Sequence, residues 1–321
     1  MVLNQGMRKR LEKQHYGLVG KNSAVKICTW TKKSLRDEDF CYKQKFYGIM
    51  SHRCCQMSTT IDYCQNSCVF CWRTLETTRN FKEMPIEEAD RPEDIYDDLI
   101  KEQRKQLTGF KGNPKTNLRK YKEAQEPMHF AISLTGEPTM YPYLSDLIRF
   151  LHKKNKTTFV VSNGVSPEII KNLEMPTQLY ISLDAPNKEL YLKIDRSTVK
   201  NSWEKFNETL DVLNSLKDKT RTVLRITLIK GMNMVEPENY AKLIEKANPL
   251  FVEIKAYMFV GSSRERLTLE NMPVHEEIKK FSEEIAKYCK YELVDEKKES
   301  RVVLLMKPED KDRRFLKLKE N

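Results

Sequence analysis

Seven of the eight cysteines in this 321-residue chain lie between residues 28 and 71, and the 250 residues after Cys71 hold only Cys289. A chain using cysteine merely as a small buried hydrophobe would scatter it. The densest group is Cys64-Gln65-Asn66-Ser67-Cys68-Val69-Phe70-Cys71, a C-x3-C-x2-C loop. The loop is too short to bury three thiols separately, so they must converge on something. Three thiolates suit a 4Fe–4S cluster with one iron left open for a cofactor or substrate. A closed structural zinc site wants a fourth ligand, and no downstream Cys or His stands at zinc-finger spacing. A zinc site that borrows Cys54 or Cys55 is the alternative. A second group, Cys28, Cys41 and Cys54, repeats every thirteen residues and reads as another three-ligand cluster, with Cys55 a competitor for the third place. Cys289 stands at the end of an amphipathic segment and reads as a buried small hydrophobe.

The rest of the chain narrows the setting. No run approaches the ~18 apolar residues of a membrane span. The start, MVLNQGMRKRLEKQ, has no apolar signal-peptide core, so a cytoplasmic protein is expected. Clustered cysteines in a reducing compartment point to metal rather than disulfides. The net charge is +11, from 57 basic and 46 acidic residues. A short β-type run at 58–62 and apolar runs at 129–134, 157–162, 179–183, 223–229 and 250–258 predict strands. They alternate with helical patterns at 91–107, 143–154, 167–173, 202–216 (Ser202 as N-cap) and 237–247. Six β–α units predict an α/β chain with a parallel sheet, as a partial (β/α)6 TIM-like barrel. A helix from residue 273 and strand-like runs at 291–294 and 301–306 predict a C-terminal helix and hairpin. Neither a G-x-G-x-x-G fingerprint nor a Walker loop is present.

The expected domains are a cysteine-rich N-terminal extension (1–56), the barrel (57–265) with a long charged first crossover (73–126), and a C-terminal segment (266–321). Within the crossover, residues 83–99 carry eight acidic residues and one Arg. Residues 101–125 carry eight basic residues and two acidic ones. The basic set is Lys101, Arg104, Lys105, Lys111, Lys115, Arg119, Lys120 and Lys122. With Arg73 it is the candidate phosphate-binding surface, and a basic tail, KDRRFLKLK, adds non-specific affinity.

The C-x3-C-x2-C loop after a first strand, with Phe70 before its last cysteine, resembles the radical S-adenosylmethionine (SAM) superfamily. Thr135-Gly136-Glu137-Pro138 stands where that superfamily carries its G-G-E segment, with Thr in place of the first Gly. Cys28, Cys41 and Cys54 ahead of Cys64–Arg73, then Val161-Ser162-Asn163-Gly164 and Ile181-Ser182-Leu183-Asp184-Ala185-Pro186, resemble more narrowly the 4-demethylwyosine synthases of the wybutosine pathway. The match spans about residues 20–265 and is of the stand-alone archaeal type, without the flavodoxin-like domain of eukaryotic relatives.

The resemblance implies a carbon–carbon bond-forming, lyase-type enzyme with two 4Fe–4S clusters. Cys64, Cys68 and Cys71 would hold the SAM cluster, and Cys28, Cys41 and Cys54 an auxiliary one. Thr135, Gly136, Glu137, Ser162, Asn163, Ser182 and Asp184 would contact SAM. The substrates would be N1-methylguanosine-37 of tRNA(Phe) and pyruvate, with a protein electron donor and a monomeric enzyme. Pyruvate would be held either on the open iron of the auxiliary cluster or as a Schiff base on Lys43, with Lys45 in reserve. Trp72, Tyr47, Tyr141 and Arg73 are candidates to stack on or hydrogen-bond the anticodon loop. Two alternatives are another two-cluster radical SAM enzyme acting on a peptide or small molecule, and a non-catalytic, metal-stabilised RNA-binding protein.

Overall fold

The structure, a computed structural model, describes residue 3, residues 5–75 and residues 83–317. Parts of the crossover (76–82) and the end of the basic tail (318–321) lie outside the described residues. The chain divides into two units: Met1–Cys64 with Thr77–Val161 and Leu173–Thr177, and Gln65–Glu76 with Ser162–Asn172 and Gln178–Asn321.

The first unit holds helix α1 (Gln5–Lys13), strands β1 (Gly17–Val19) and β2 (Ser23–Val25), and short helices α2 (Thr29–Leu35) and α3 (Tyr42–Tyr47). Then come β3 (Cys54–Ser58), α4 (Pro92–Leu107), α5 (Leu118–Ala124), β4 (His129–Ile132), α6 (Leu144–Lys153) and β5 (Thr157–Ser162). Its strands run in the order β1-β2-β3-β4-β5, antiparallel through β3 and parallel from β3 to β5. Every residue of β4 is buried, as expected of a parallel strand covered on both faces. Helix α6 buries Leu144, Leu147, Ile148 and Leu151, a single apolar stripe facing inward. Helix α4 starts on Pro92, with Glu93 and Asp94 in its first turn and Arg104 and Lys105 in its last, the charge order that the helix dipole favours.

The second unit holds α7 (Pro167–Lys171), β6 (Gln178–Ser182), α8 (Lys188–Asp195), α9 (Ser202–Ser215), β7 (Arg221–Leu228), α10 (Pro237–Ala247), β8 (Phe251–Ala256), α11 (His275–Ala286), β9 (Glu292–Lys297) and β10 (Val302–Met306). Strands β6, β7 and β8 are parallel. The C-terminal hairpin joins them antiparallel through β10, which pairs with β8 on one side and β9 on the other. Among the described residues six parallel strands are thus present, three in each unit, and five of them lie where the sequence predicts strands.

Two local expectations are corrected. The first strand is Cys54–Ser58 rather than 58–62, because Cys54 to Met57 pair in register with His129 to Ile132. Residues after Ser58 are already in the turn toward the cysteine loop. Ser202 is the first helical residue of α9, and its N-cap is Asn201 in the left-handed conformation (φ 56°). Cys289 is half-buried just beyond α11, its thiol facing the Ile285 carbonyl at 3.5 Å.

Candidate radical SAM and auxiliary cluster sites

In the first unit Cys28, Cys41 and Cys54 come from three different local structures. Cys28 caps α2, its sulfur accepting from the Thr31 amide at 3.4 Å, and Cys41 is the N-cap residue of α3. Ser51 ties the two segments together: its hydroxyl accepts from the Cys41 amide at 2.9 Å, and its carbonyl accepts from the Thr31 hydroxyl at 3.1 Å. Burial pushes the Cys54 thiol well up, the neighbouring Cys28 and Cys41 push it further, and Lys43 acts in the opposite direction. The three sulfurs and the Lys43 ammonium therefore share one electrostatic environment. A buried Cys54 thiol whose ionisation its surroundings oppose is a donor that bound iron would favour as thiolate.

Cys55 is the next residue on β3, so its side chain points to the opposite face. It is fully buried, and burial alone raises its thiol pKa. Of the two, Cys54 is the one whose ionisation Cys28 and Cys41 oppose. Among the described residues no three His, Cys, Asp or Glu side chains are gathered as ligands for a single metal ion. A four-iron cluster spreads its ligands over separate irons and asks for no such convergence. Lys43, on the first turn of α3, has its ammonium 5.2 Å from the centre of the Phe159 ring. A cation over an aromatic face exchanges part of its hydration for the ring quadrupole.

Also in the first unit, the Thr135–Pro138 turn is built on Gly136. Its φ is +75°, and a Cβ there would lie 1.7 Å from the Thr60 carbonyl oxygen, so only glycine fits. The turn is clamped by the Ser58 hydroxyl on the Thr135 carbonyl (2.6 Å) and by the Glu137 amide on the Tyr63 carbonyl (2.8 Å). The Glu137 carboxylate is buried and accepts from both the amide (3.1 Å) and the hydroxyl (2.8 Å) of Thr139. Its orientation is thereby set before any ligand arrives.

In the second unit the loop carrying Cys68 and Cys71 is held from three directions. The C-terminal end of α8 receives the loop backbone, with Ser67 donating to the Asp195 carbonyl (3.0 Å) and Val69 to that of Ile194 (2.9 Å). The Cys68 thiol donates to the Asp195 carboxylate at 3.2 Å. Arg266 donates to the Val69 carbonyl at 3.1 Å and also to that of Cys71. Arg73 places Nε 3.2 Å from the Cys71 sulfur and Nη2 2.9 Å from the Asn66 carbonyl.

The strand-end residues lie close by in the same unit. Asn163 donates to the Gln65 side chain at 3.3 Å, and Ser162 accepts from the Gly164 amide at 3.1 Å. Arg225 faces the Ser182 hydroxyl at 3.4 Å. Burial pushes Asp184 up to about 6, against the opposing pull of Arg225 and Thr227. Asp195 is pushed well above the carboxylate range, first by burial and then by Asp184.

Asp195 and Arg266 were not legible as site residues in the sequence. Neither belongs to a local motif, and each reaches the loop only through tertiary packing. Of the proposed anticodon contacts, Tyr47 is fully buried in the core, and Tyr141 is buried with its hydroxyl donating to the Asp90 carbonyl. Neither presents a face to a ligand. Trp72 is 44% exposed. Arg73 is committed to the cysteine loop. In the crossover, Lys101, Arg104, Lys105, Lys111, Lys115, Arg119 and Lys122 are exposed. Lys120 is half-buried against Asp37, while Arg104, Lys105 and Arg119 pair with Glu126, Glu102 and Glu123.

A parallel α/β chain with a three-cysteine loop and polar strand ends defines the radical SAM class, and residues 58–244 match the family model described as "Radical SAM superfamily". Residues 246–307 match "Wyosine base formation". The chain is 51% identical to the S-adenosyl-L-methionine-dependent tRNA 4-demethylwyosine synthase of Pyrococcus abyssi, over 92% of this chain and 86% of that protein. It is 38% identical to the human protein of that description, over 95% of this chain and 41% of the longer relative. A solved structure of TYW1 with a lysine–pyruvate adduct bound superposes with a TM-score of 0.86 at 38% identity, each chain fully covered. The crystal structure of an archaeal TYW1 gives 0.79 at 36% identity, covering 98% of this chain and all of that one. The chain belongs to the radical SAM tRNA 4-demethylwyosine synthase family, whose members are tRNA-modifying enzymes. Among the described residues no helix is long and apolar enough to cross a membrane.

Proposed function

We propose that this protein joins pyruvate to N1-methylguanosine-37 of tRNA(Phe), forming the tricyclic 4-demethylwyosine base as a cytoplasmic, monomeric enzyme fed by an electron-donor protein. The grouping of Cys28, Cys41, Cys54 and Lys43 in one environment, in a chain of this family, carries the reading. Cys64, Cys68 and Cys71 hold one 4Fe–4S cluster and Cys28, Cys41 and Cys54 a second. When bound, the first cluster with SAM supplies the radical that activates the methyl group of the base.

The chain's own residues do the rest. Glu137, oriented by Thr139, offers a carboxylate to the SAM ammonium, while Ser162, Asn163, Ser182 and Asp184 offer hydrogen bonds to its polar groups. Lys43 holds pyruvate as a Schiff base, its amine attacking the ketone carbon with loss of water. A solved relative carries a lysine–pyruvate adduct, which favours this mode over chelation by the auxiliary cluster. The exposed lysines of the crossover meet the phosphates of the anticodon arm.

The test is anaerobic incubation of the reconstituted protein with N1-methylguanosine tRNA, pyruvate, SAM and a reductant, followed by nucleoside mass analysis. A new tricyclic nucleoside is expected, and unchanged N1-methylguanosine refutes the proposal. Borohydride with labelled pyruvate should attach the label to Lys43. Label retained in Lys43→Ala removes the Schiff base from that residue.

A further inference from the structure

Arg73 follows the last cysteine of the loop by two residues, yet its side chain does not leave the loop. Its guanidinium folds back, with Nε 3.2 Å from the Cys71 sulfur and Nη2 2.9 Å from the Asn66 carbonyl. A second guanidinium holds the backbone on which this contact depends, because Arg266 donates to the carbonyls of Val69 and Cys71. Ser262 adds an amide on the Trp72 carbonyl at 2.9 Å, so the residues on both sides of Cys71 are held by the 262–266 segment. The Cys71 sulfur thus has a permanently charged N–H donor aimed at it from a fixed backbone.

We propose that Arg73 tunes the reduction potential of the SAM cluster by donating a charge-assisted hydrogen bond to the Cys71 sulfur. The inference rests on Cys64, Cys68 and Cys71 being the ligands of that cluster. Reduction adds one electron from an external one-electron donor to the cluster and transfers no proton. The added negative charge is shared by the thiolate sulfurs. A guanidinium N–H on one of them is worth more in the reduced state than in the oxidised state, so it raises the potential. Arginine suits the task because it stays charged and its planar fork serves the sulfur and the Asn66 carbonyl together. This role also accounts for an arginine that turns Nε and Nη2 back onto its own loop.

The test is a redox titration of the reconstituted full-length protein, following the reduced-cluster EPR signal that changes when SAM is added. Arg73→Gln is expected to make one-electron reduction about tenfold less favourable, equivalent to about 59 mV, with iron and sulfide content unchanged. Arg73→Lys keeps a charge but loses the fork, and is expected to fall between the two. An unchanged potential in either variant with a fully assembled cluster overturns the proposal. If Arg73→Gln fails to retain iron, Arg73→Lys decides by the same criterion. Cys71→Ala separates the two levels: a SAM-responsive signal that survives it refutes the ligand assignment itself, whereas loss of that signal leaves the arginine result decisive.

Discussion

The thiol of Cys68 lies 3.2 Å from the carboxylate of Asp195, a residue 127 positions further along the chain, at the end of α8. The Asp195 carbonyl also receives the Ser67 amide at 3.0 Å. One residue therefore holds the cysteine loop by both backbone and side chain. The side chain does so at a cost, because it is buried and the Asp184 carboxyl further opposes its ionisation.

Asp195→Asn should therefore stabilise the iron-free protein at neutral pH while weakening iron retention. The folded-state pKa is raised, so native and unfolded states are equally protonated at low pH. As pH rises past the ordinary carboxylate value of about 4, only the unfolded state ionises readily, and the native state loses stability. Asp184 adds to this loss between about 4 and about 6. Urea unfolding at several pH values should show the wild type losing stability across that window and Asp195→Asn losing less. At pH 7 Asp195→Asn should be the more stable of the two iron-free proteins. An identical pH dependence in the two proteins would refute the assignment.

Gly136→Ala should destabilise the protein severely. The added methyl would sit 1.7 Å from the Thr60 carbonyl oxygen, at a left-handed φ of +75°. Strain of that backbone class alone costs about 1–3 kcal/mol, and the carbonyl must also move. Gly112→Ala is the control, since nothing lies within 4 Å of its Cβ position. It should leave stability unchanged or raise it by roughly 0.4–1 kcal/mol. Equal unfolding midpoints for the two variants would contradict the close approach.

Cys54→Ser and Cys55→Ser should behave differently although the residues are adjacent. Cys54 shares its environment with Cys28 and Cys41, whereas Cys55 is buried on the other face of β3. Iron analysis after anaerobic reconstitution should fall from about eight to about four per chain for Cys54→Ser, the content of one 4Fe–4S cluster. It should stay near eight for Cys55→Ser. The reverse pattern would move the third ligand to Cys55.

Replacing Lys101, Lys111, Lys115 and Lys122 together by Gln should weaken tRNA binding and flatten its salt dependence. Among the described residues these four make no ion pair, so the fold should be little affected, within about 0.5 kcal/mol per site. Each lost phosphate contact should reduce the slope of log K against log salt by about 0.7–0.9. An unchanged slope would place the tRNA on another surface.

Much of the architecture could be read from the chain because its signals are local. Short apolar runs and period-3.6 patterns marked five of the six parallel strands, most of the crossover helices and the C-terminal hairpin. The short N-terminal elements escaped because α2 and α3 are barely two turns long, too short for periodicity to register. The first strand was placed four residues late because pairing with β4, not local composition, sets its limits.

The sequence by itself set three cysteines within an eight-residue loop, a spacing that points to one shared metal centre. It determined the regular spacing of the second triplet and the family whose chemistry these cysteines serve. Only the tertiary structure put Cys54 and Cys55 on opposite faces of one strand, because adjacent strand residues alternate and the existence of the strand belongs to the sheet. Only it drew Asp195 and Arg266 to the cysteine loop and turned Arg73 inward. Those contacts join residues with no shared motif, and a hydrogen bond depends on distances between atoms that only the folded backbone sets.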